Sequence, residues 1–209
     1  FPTRRSSDLA EKKNDSAGLW IANTKQGTNL ESVSINLDAR EQSSGDLELT
    51  FLYEGQSNFG LVFRGDKQKT SQWQSFAYNR DGRWQLGQPG GKWLTNIPGP
   101  TLLSGQQYKL LVRYDGKKIQ TFLNDQLFYE NEEVHYPDGT SINDDWMGAV
   151  GIRLFGNLSK LNIISMKSGS VGSIPVIDSS AEYRELKEKW RNQLVSKEYD
   201  STKDRKSVV

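Results

Sequence analysis

The chain has 209 residues, 27 Lys plus Arg against 26 Asp plus Glu, 6 Trp, a single His and no Cys, a length that suits one globular domain better than two. The missing Cys excludes disulfides, thiolate zinc sites and a thiol nucleophile, and one His, His135, gives no basis for a histidine-clustered metal centre or a Ser-His-Asp triad. No apolar run approaches the ~18 residues of a membrane span, and a net charge of +1 without a basic stripe argues against a nucleic-acid partner.

In chain order, residues 1–9 (FPTRRSSDL) and 204–209 (DRKSVV) look like translations of the two strands of one sequencing-adapter oligonucleotide, and both are set aside as scars. Each carries a net +1, so residues 10–203 carry −1 and the weakly basic balance is no property of the domain. The chain is accordingly expected to be an internal piece of a longer protein.

The period from Gly18 to Lys167 is two. Leu19–Asn23 and Ser32–Asp38 are weaker strands; Leu47, Leu49, Phe51 and Tyr53 then alternate with Glu48, Thr50, Leu52 and Glu54, the pattern of a strand with one buried face. Phe59, Leu61 and Phe63 alternate in the same way with Gly60, Val62 and Arg64. Further strands are expected over 74–79, 83–87, 108–114, 118–123, 126–130, 150–155 and 160–166. Asp81-Gly82, Asp115-Gly116 and Asn124-Asp125 sit between them as hairpin turns, because these residues readily supply positive φ. About ten short strands with no helical pattern among them predict an all-β, two-sheet antiparallel β-sandwich over residues 10–168.

Composition changes at Ser168. Gly- and Ser-rich residues 169–178 read as a linker, followed by a C-terminal α-helix over 179–203. Ser179 and Glu182 make a capping box, and Tyr183, Leu186, Trp190 and Leu194 fall at steps of 3, 4 and 4 on one apolar stripe. An isolated helix of this length is marginal in water, so the stripe expects a partner. The sandwich or a following domain could supply it.

Candidate binding residues come from the same alternation. Arg64, Arg113 and Arg153 stand in antiphase to Phe63, Val112, Ile152 and Leu154, so all three are predicted to point away from the core. On one sheet they would form a basic surface suited to carboxylate or sulfate; separately they would be solvated side chains. Trp73, Trp84 and Trp93 lie near Tyr78 and Pro89-Gly90-Gly91, with Trp84 and Trp93 bracketing a loop where flat rings could stack on sugar faces. Core packing is the competing reading for each Trp, and Trp20 and Trp146 are assigned to the core. Asn143, Asp144 and Asp145 offer clustered oxygens for a structural calcium but lack the spacing of a dedicated loop, so no cofactor is assigned. Glu132 and Glu133 are adjacent and would point opposite ways on a strand, which does not place two acids across one glycosidic bond.

The segments FGLVFRGD (59–66), YKLLVRYDGKKIQTFLND (108–125) and GAVGIRLFG (148–156) resemble concanavalin-A-like or laminin-G-like jelly-roll modules, most nearly the sugar-binding modules of exo-levanases and exo-inulinases. AEYRELKEKWRNQLVSKEYDSTK (181–203) resembles the opening of the helical catalytic domain of hyaluronate, chondroitin and xanthan lyases, which Trp190, Asn192, Leu194 and Tyr199-Asp200 match. These resemblances imply a non-catalytic carbohydrate-binding module of a secreted bacterial polysaccharide lyase, with an acidic glycan and the catalytic domain of the same chain as partners. The lyase family's catalytic residues lie downstream of such a helix and none carries over. A structural spacer packing on the lyase domain, or a fructan-binding module of a glycoside hydrolase, are the alternatives.

Overall fold

The computed structural model describes residues 10–15, 18–23, 32–55, 57–65, 74–88, 92–131, 148–156, 159–176 and 182–194, with side chains from residue 42 onward except at 65, 88, 92 and 95. Trp73, Pro89 to Gly91, Glu132, Glu133, His135, Asn143 to Trp146, Ser179 and both terminal segments, as well as the Trp20 side chain, lie outside this description.

Among the described residues thirteen strands follow one another: β1 (Ala10–Asp15), β2 (Gly18–Asn23), β3 (Ser32–Gln42), β4 (Gly45–Tyr53), β5 (Asn58–Gly65), β6 (Gln74–Tyr78), β7 (Trp84–Gln88), β8 (Lys92–Ile97), β9 (Gln106–Asp115), β10 (Lys118–Leu123), β11 (Gln126–Asn131), β12 (Gly148–Phe155) and β13 (Lys160–Gly169). One sheet has seven strands in the order β1-β2-β13-β4-β9-β10-β11, the other six in the order β3-β12-β5-β6-β7-β8. Among the described residues every strand pair is antiparallel. The fold is thus the all-β jelly-roll sandwich that the alternation predicts, with helix α1 (182–194) after it.

Two strands escape the pattern. β1 (AEKKND) has no apolar alternation, and it pairs with β2 at the sheet edge. β8 carries Asn96 at φ 60, opposite a register shift between Trp84 and Leu86, so its alternation is interrupted. The turn chemistry is legible: Asn124 and Asp125 have φ 50 and 67, the left-handed pair of a two-residue hairpin, and Gly116 has φ 52 after β9.

Phe51, Leu49 and Leu47 from the seven-stranded sheet face Phe59, Leu61 and Phe63 from the other, all fully buried. Phe51 meets Phe59 edge-on at 4.8 Å, and Phe63 stacks on Tyr114 at 5.0 Å. Such aromatic pairs add to plain area burial.

The C-terminal stripe finds its partner on the sandwich. Tyr183 and Trp190 are buried, Trp190 sits edge-on to Phe128 of β11 at 6.3 Å, and the backbone N–H of Glu130 donates to the Tyr183 hydroxyl at 3.1 Å. α1 therefore lies against β11, the last strand of its sheet, and occupies part of an edge that would otherwise offer free backbone groups. The residues between β13 and α1 are also fastened. Ile174 donates its N–H to Asp46 Oδ2 at 3.0 Å and accepts from Arg113 Nη2 at 2.8 Å.

Candidate functional site

Three arginines with the same sequence setting have three different environments. Arg64 is fully buried, contrary to the outward placement expected of it. Its φ of 62 and a register shift between Ala149 and Gly151 of the neighbouring β12 mark a bulge in β5, which cancels the alternation at that residue. The side chain turns inward: Nε donates to the Ser43 carbonyl at 2.7 Å, Nη2 to Ser43 and to Gly116 at 2.8 Å, and Nη1 to Gln74 Oε1 at 3.1 Å. Its guanidinium lies 5.3 Å over the Tyr114 ring. Arg64 thus ties the two sheets together at one end and does not face a ligand.

Arg113 belongs to the other sheet and makes a fork with Asp46, Nε to Oδ1 at 2.8 Å and Nη2 to Oδ2 at 2.9 Å. The Asp46 side chain is fully buried. Bonding to that carboxylate raises the Arg113 pKa above its ordinary value. Through its bond to the Ile174 carbonyl, the same guanidinium also fastens the C-terminal segment.

Tyr78 and Trp84 are likewise structural, not ligand-facing. Both are fully buried and stand 4.7 Å apart; Trp84 Nε1 donates to Pro100 O at 2.8 Å, and the Leu102 N–H donates to the Tyr78 hydroxyl at 3.0 Å. Burial pushes the Tyr78 phenol up to about 12. Their strand positions pair directly, Tyr78 with Trp84, on the core-facing row.

Arg153 and Trp93 remain, and the structure brings them together. Arg153 pairs with Gly60 in the six-stranded sheet, Gly60 with Ala77, and Ala77 with Gln85, which defines one row on the face away from the core. The next row on that face runs Gly151, Val62, Ser75, Gly87, Trp93. On the strands between the two long side chains, the floor positions Gly60, Ala77, Ser75 and Gly87 are all small. Over them the Arg153 guanidinium approaches to 5.7 Å over the Trp93 ring, and it stands 5.3 Å over the ring of Phe155. Arg153 is 8% exposed and Trp93 is half-buried. Burial lowers the Arg153 pKa to about 10, still well above neutrality, so the group is cationic at physiological pH.

Phe155, Gly60 and Gly87 belong to this site and were not singled out by sequence. A signal for the glycines was available, since Gly inside a strand marks a close approach of another group. Chemically the site offers an aromatic plane beside a cation, a combination able to stack on a flat, partly apolar ring and to bind an anionic substituent. Among the described residues no group of three or more His, Cys, Asp or Glu could hold a metal, and no helix is long and apolar enough to cross a membrane.

No family model matches the chain. Among solved structures it is similar to the carbohydrate-binding module CBM66 from Bacillus subtilis, at 14% identity and a TM-score of 0.51, covering 72% of this chain and 91% of that one. It is also similar to part of a sialidase, at 9% identity and a TM-score of 0.51, covering 78% of this chain and 16% of the sialidase. At such identities the likeness establishes a shared jelly-roll sandwich.

Proposed function

We propose that the chain is a non-catalytic glycan-binding module and that Trp93 and Arg153 hold the sugar on the outer face of the six-stranded sheet. One observation carries the reading: the 5.7 Å approach of the Arg153 guanidinium to the Trp93 ring over a floor of small residues. A pyranose or furanose can lay its C–H face on the indole, while the guanidinium takes a carboxylate or sulfate on the same ring. The ligand class is therefore an acidic glycan. Sharing a fold with a carbohydrate-binding module supports this reading.

The resemblance of residues 181–203 to the start of a lyase catalytic domain supports the further reading that the module belongs to a secreted bacterial polysaccharide lyase. Holding such an enzyme near its polymer raises the local concentration of cleavable bonds. A second reading, a spacer that supports the lyase domain, is favoured by the packing of Tyr183 and Trp190 on β11.

Titration calorimetry of the full chain with polygalacturonate, and with levan as a neutral control, at low and high salt tests the proposal. Binding to polygalacturonate that weakens with salt is expected, with W93A and R153Q each lowering affinity by about tenfold or more. Salt-insensitive binding to levan alone would move the assignment to a fructan module. No binding to any glycan by the folded chain would leave the spacer.

A further inference from the structure

Arg153 and Trp93 are four strands apart in their sheet, on β12 and β8 with β5, β6 and β7 between them. At the usual strand spacing this is ~19 Å along the sheet. Two side chains close that gap to 5.7 Å only by lying along the sheet toward each other. Neither posture is the default for a strand residue, whose side chain stands roughly perpendicular to the sheet. Something must hold each of them down.

We propose that Phe155 and Gly87 are the positioning residues of this pair, Phe155 for the guanidinium and Gly87 for the indole. Phe155 lies two residues beyond Arg153 on β12, hence on the same face, is buried, and places its ring 5.3 Å under the guanidinium carbon. A cation held against two rings, Trp93 and Phe155, has less rotamer freedom left to lose on meeting an anion. Gly87 pairs directly with Trp93 across β7 and β8. A Cβ at residue 87 would fall 2.6, 2.7 and 2.8 Å from three carbons of the Trp93 six-membered ring, so the ring lies flat on the glycine backbone and any side chain there must lift it. The plane offered to a sugar is thus set by what residue 87 lacks. This inference rests on the reading of Trp93 and Arg153 as the glycan site, and it divides that site into a charged half and an apolar half with separate supports.

Two measurements test it, one without ligand. In the full chain, nitrogen-15 NMR of the guanidinium is expected to show exchange of the Arg153 Nε–H accelerated at least about tenfold by F155L and restored by F155Y, with G87A, which leaves Phe155 in place, accelerating it less. In calorimetry with polygalacturonate, F155L is expected to lower affinity severalfold and to flatten the salt dependence. G87A is expected to lower affinity with the salt dependence retained. Unchanged Arg153 exchange in F155L would overturn the role of Phe155 whether or not any glycan binds. Equal salt dependence in F155L and G87A would overturn the division into halves. A wild-type chain that binds no glycan yet shows the exchange effect would sink the function and leave the positioning intact.

Discussion

Arg113 and Arg153 occupy equivalent places in their strands, each flanked by core residues and each pointing to the outer face of its sheet, yet their surroundings differ in kind. On the seven-stranded sheet Arg113 faces a fully buried carboxylate and forks onto it, and the same two side chains bond both backbone groups of Ile174. On the six-stranded sheet the Arg153 guanidinium lies against the faces of two rings. The first arrangement is closed, because the cation and the anion are both spoken for. The second sets a buried cation beside a half-buried aromatic plane, and the proposed recognition of an anionic ligand rests on that arrangement. An arginine on a strand is informative about binding only when what it faces is known.

The comparison is broken most severely at Asp46. D46A removes the anion from a buried pair and leaves Arg113 and the Ile174 N–H without it, which is expected to destabilise by about 3–5 kcal/mol. Urea unfolding followed by circular dichroism measures this, and the released 170–176 segment should gain hydrogen exchange along with α1. Glycan binding by the still-folded fraction is expected to be unchanged, since the latch is on the opposite sheet. Loss of binding in molecules shown to be folded would mean that the two faces are coupled.

A smaller change sharpens the same contrast. R113K keeps the charge but cannot reproduce the planar fork onto Asp46 together with the bond to the Ile174 carbonyl, and is expected to cost about 1.5–3 kcal/mol. Affinity for polygalacturonate should stay within about twofold of wild type. A fall comparable with that of R153Q would place Arg113 in the binding surface after all, as alternation alone suggests.

Much of the fold is legible because alternation reports burial directly: Leu47, Leu49, Phe51 and Tyr53 read as one buried face and are one. The same rule misplaces Arg64, where a left-handed residue in a bulge turns an outward position inward, and nothing in the local sequence announces that conformation. It is uninformative for Tyr78 and Trp84, which alternate correctly but on the core-facing row, a fact fixed by the register of β6 against β5 and β7. It succeeds for Arg153, yet the meeting with Trp93 depends on strand order across four neighbours, which no local pattern contains. The helix stripe is legible from Tyr183 to Leu194. Its partner is not, because that depends on Phe128 and Glu130, whose strand lies at the edge of the sheet.

The finest distinction between the two arginines is in their response to pH. Burial lowers the Arg153 pKa to about 10, whereas bonding to Asp46 raises that of Arg113 above its ordinary value. A base whose pKa is depressed on folding holds its proton less tightly in the folded state. The charged form of Arg153 therefore costs stability below about pH 10, and that cost is relieved as pH rises from about 10 toward the ordinary arginine value. Arg113 has the opposite sign: its stabilising contribution is complete below the ordinary arginine value and is lost only as pH rises through its still higher folded value. Affinity for polygalacturonate, whose carboxylates stay ionised throughout, is accordingly expected to be flat from neutrality to about pH 9 and to fall as Arg153 deprotonates near 10. The Tyr78 phenol, raised to about 12, stays neutral in that window. R153Q is the control, because its residual binding should lack the step. Calorimetric affinities from pH 7 to 10.5 decide the matter, and a wild-type profile that matches R153Q would remove the guanidinium from the recognition of the anion.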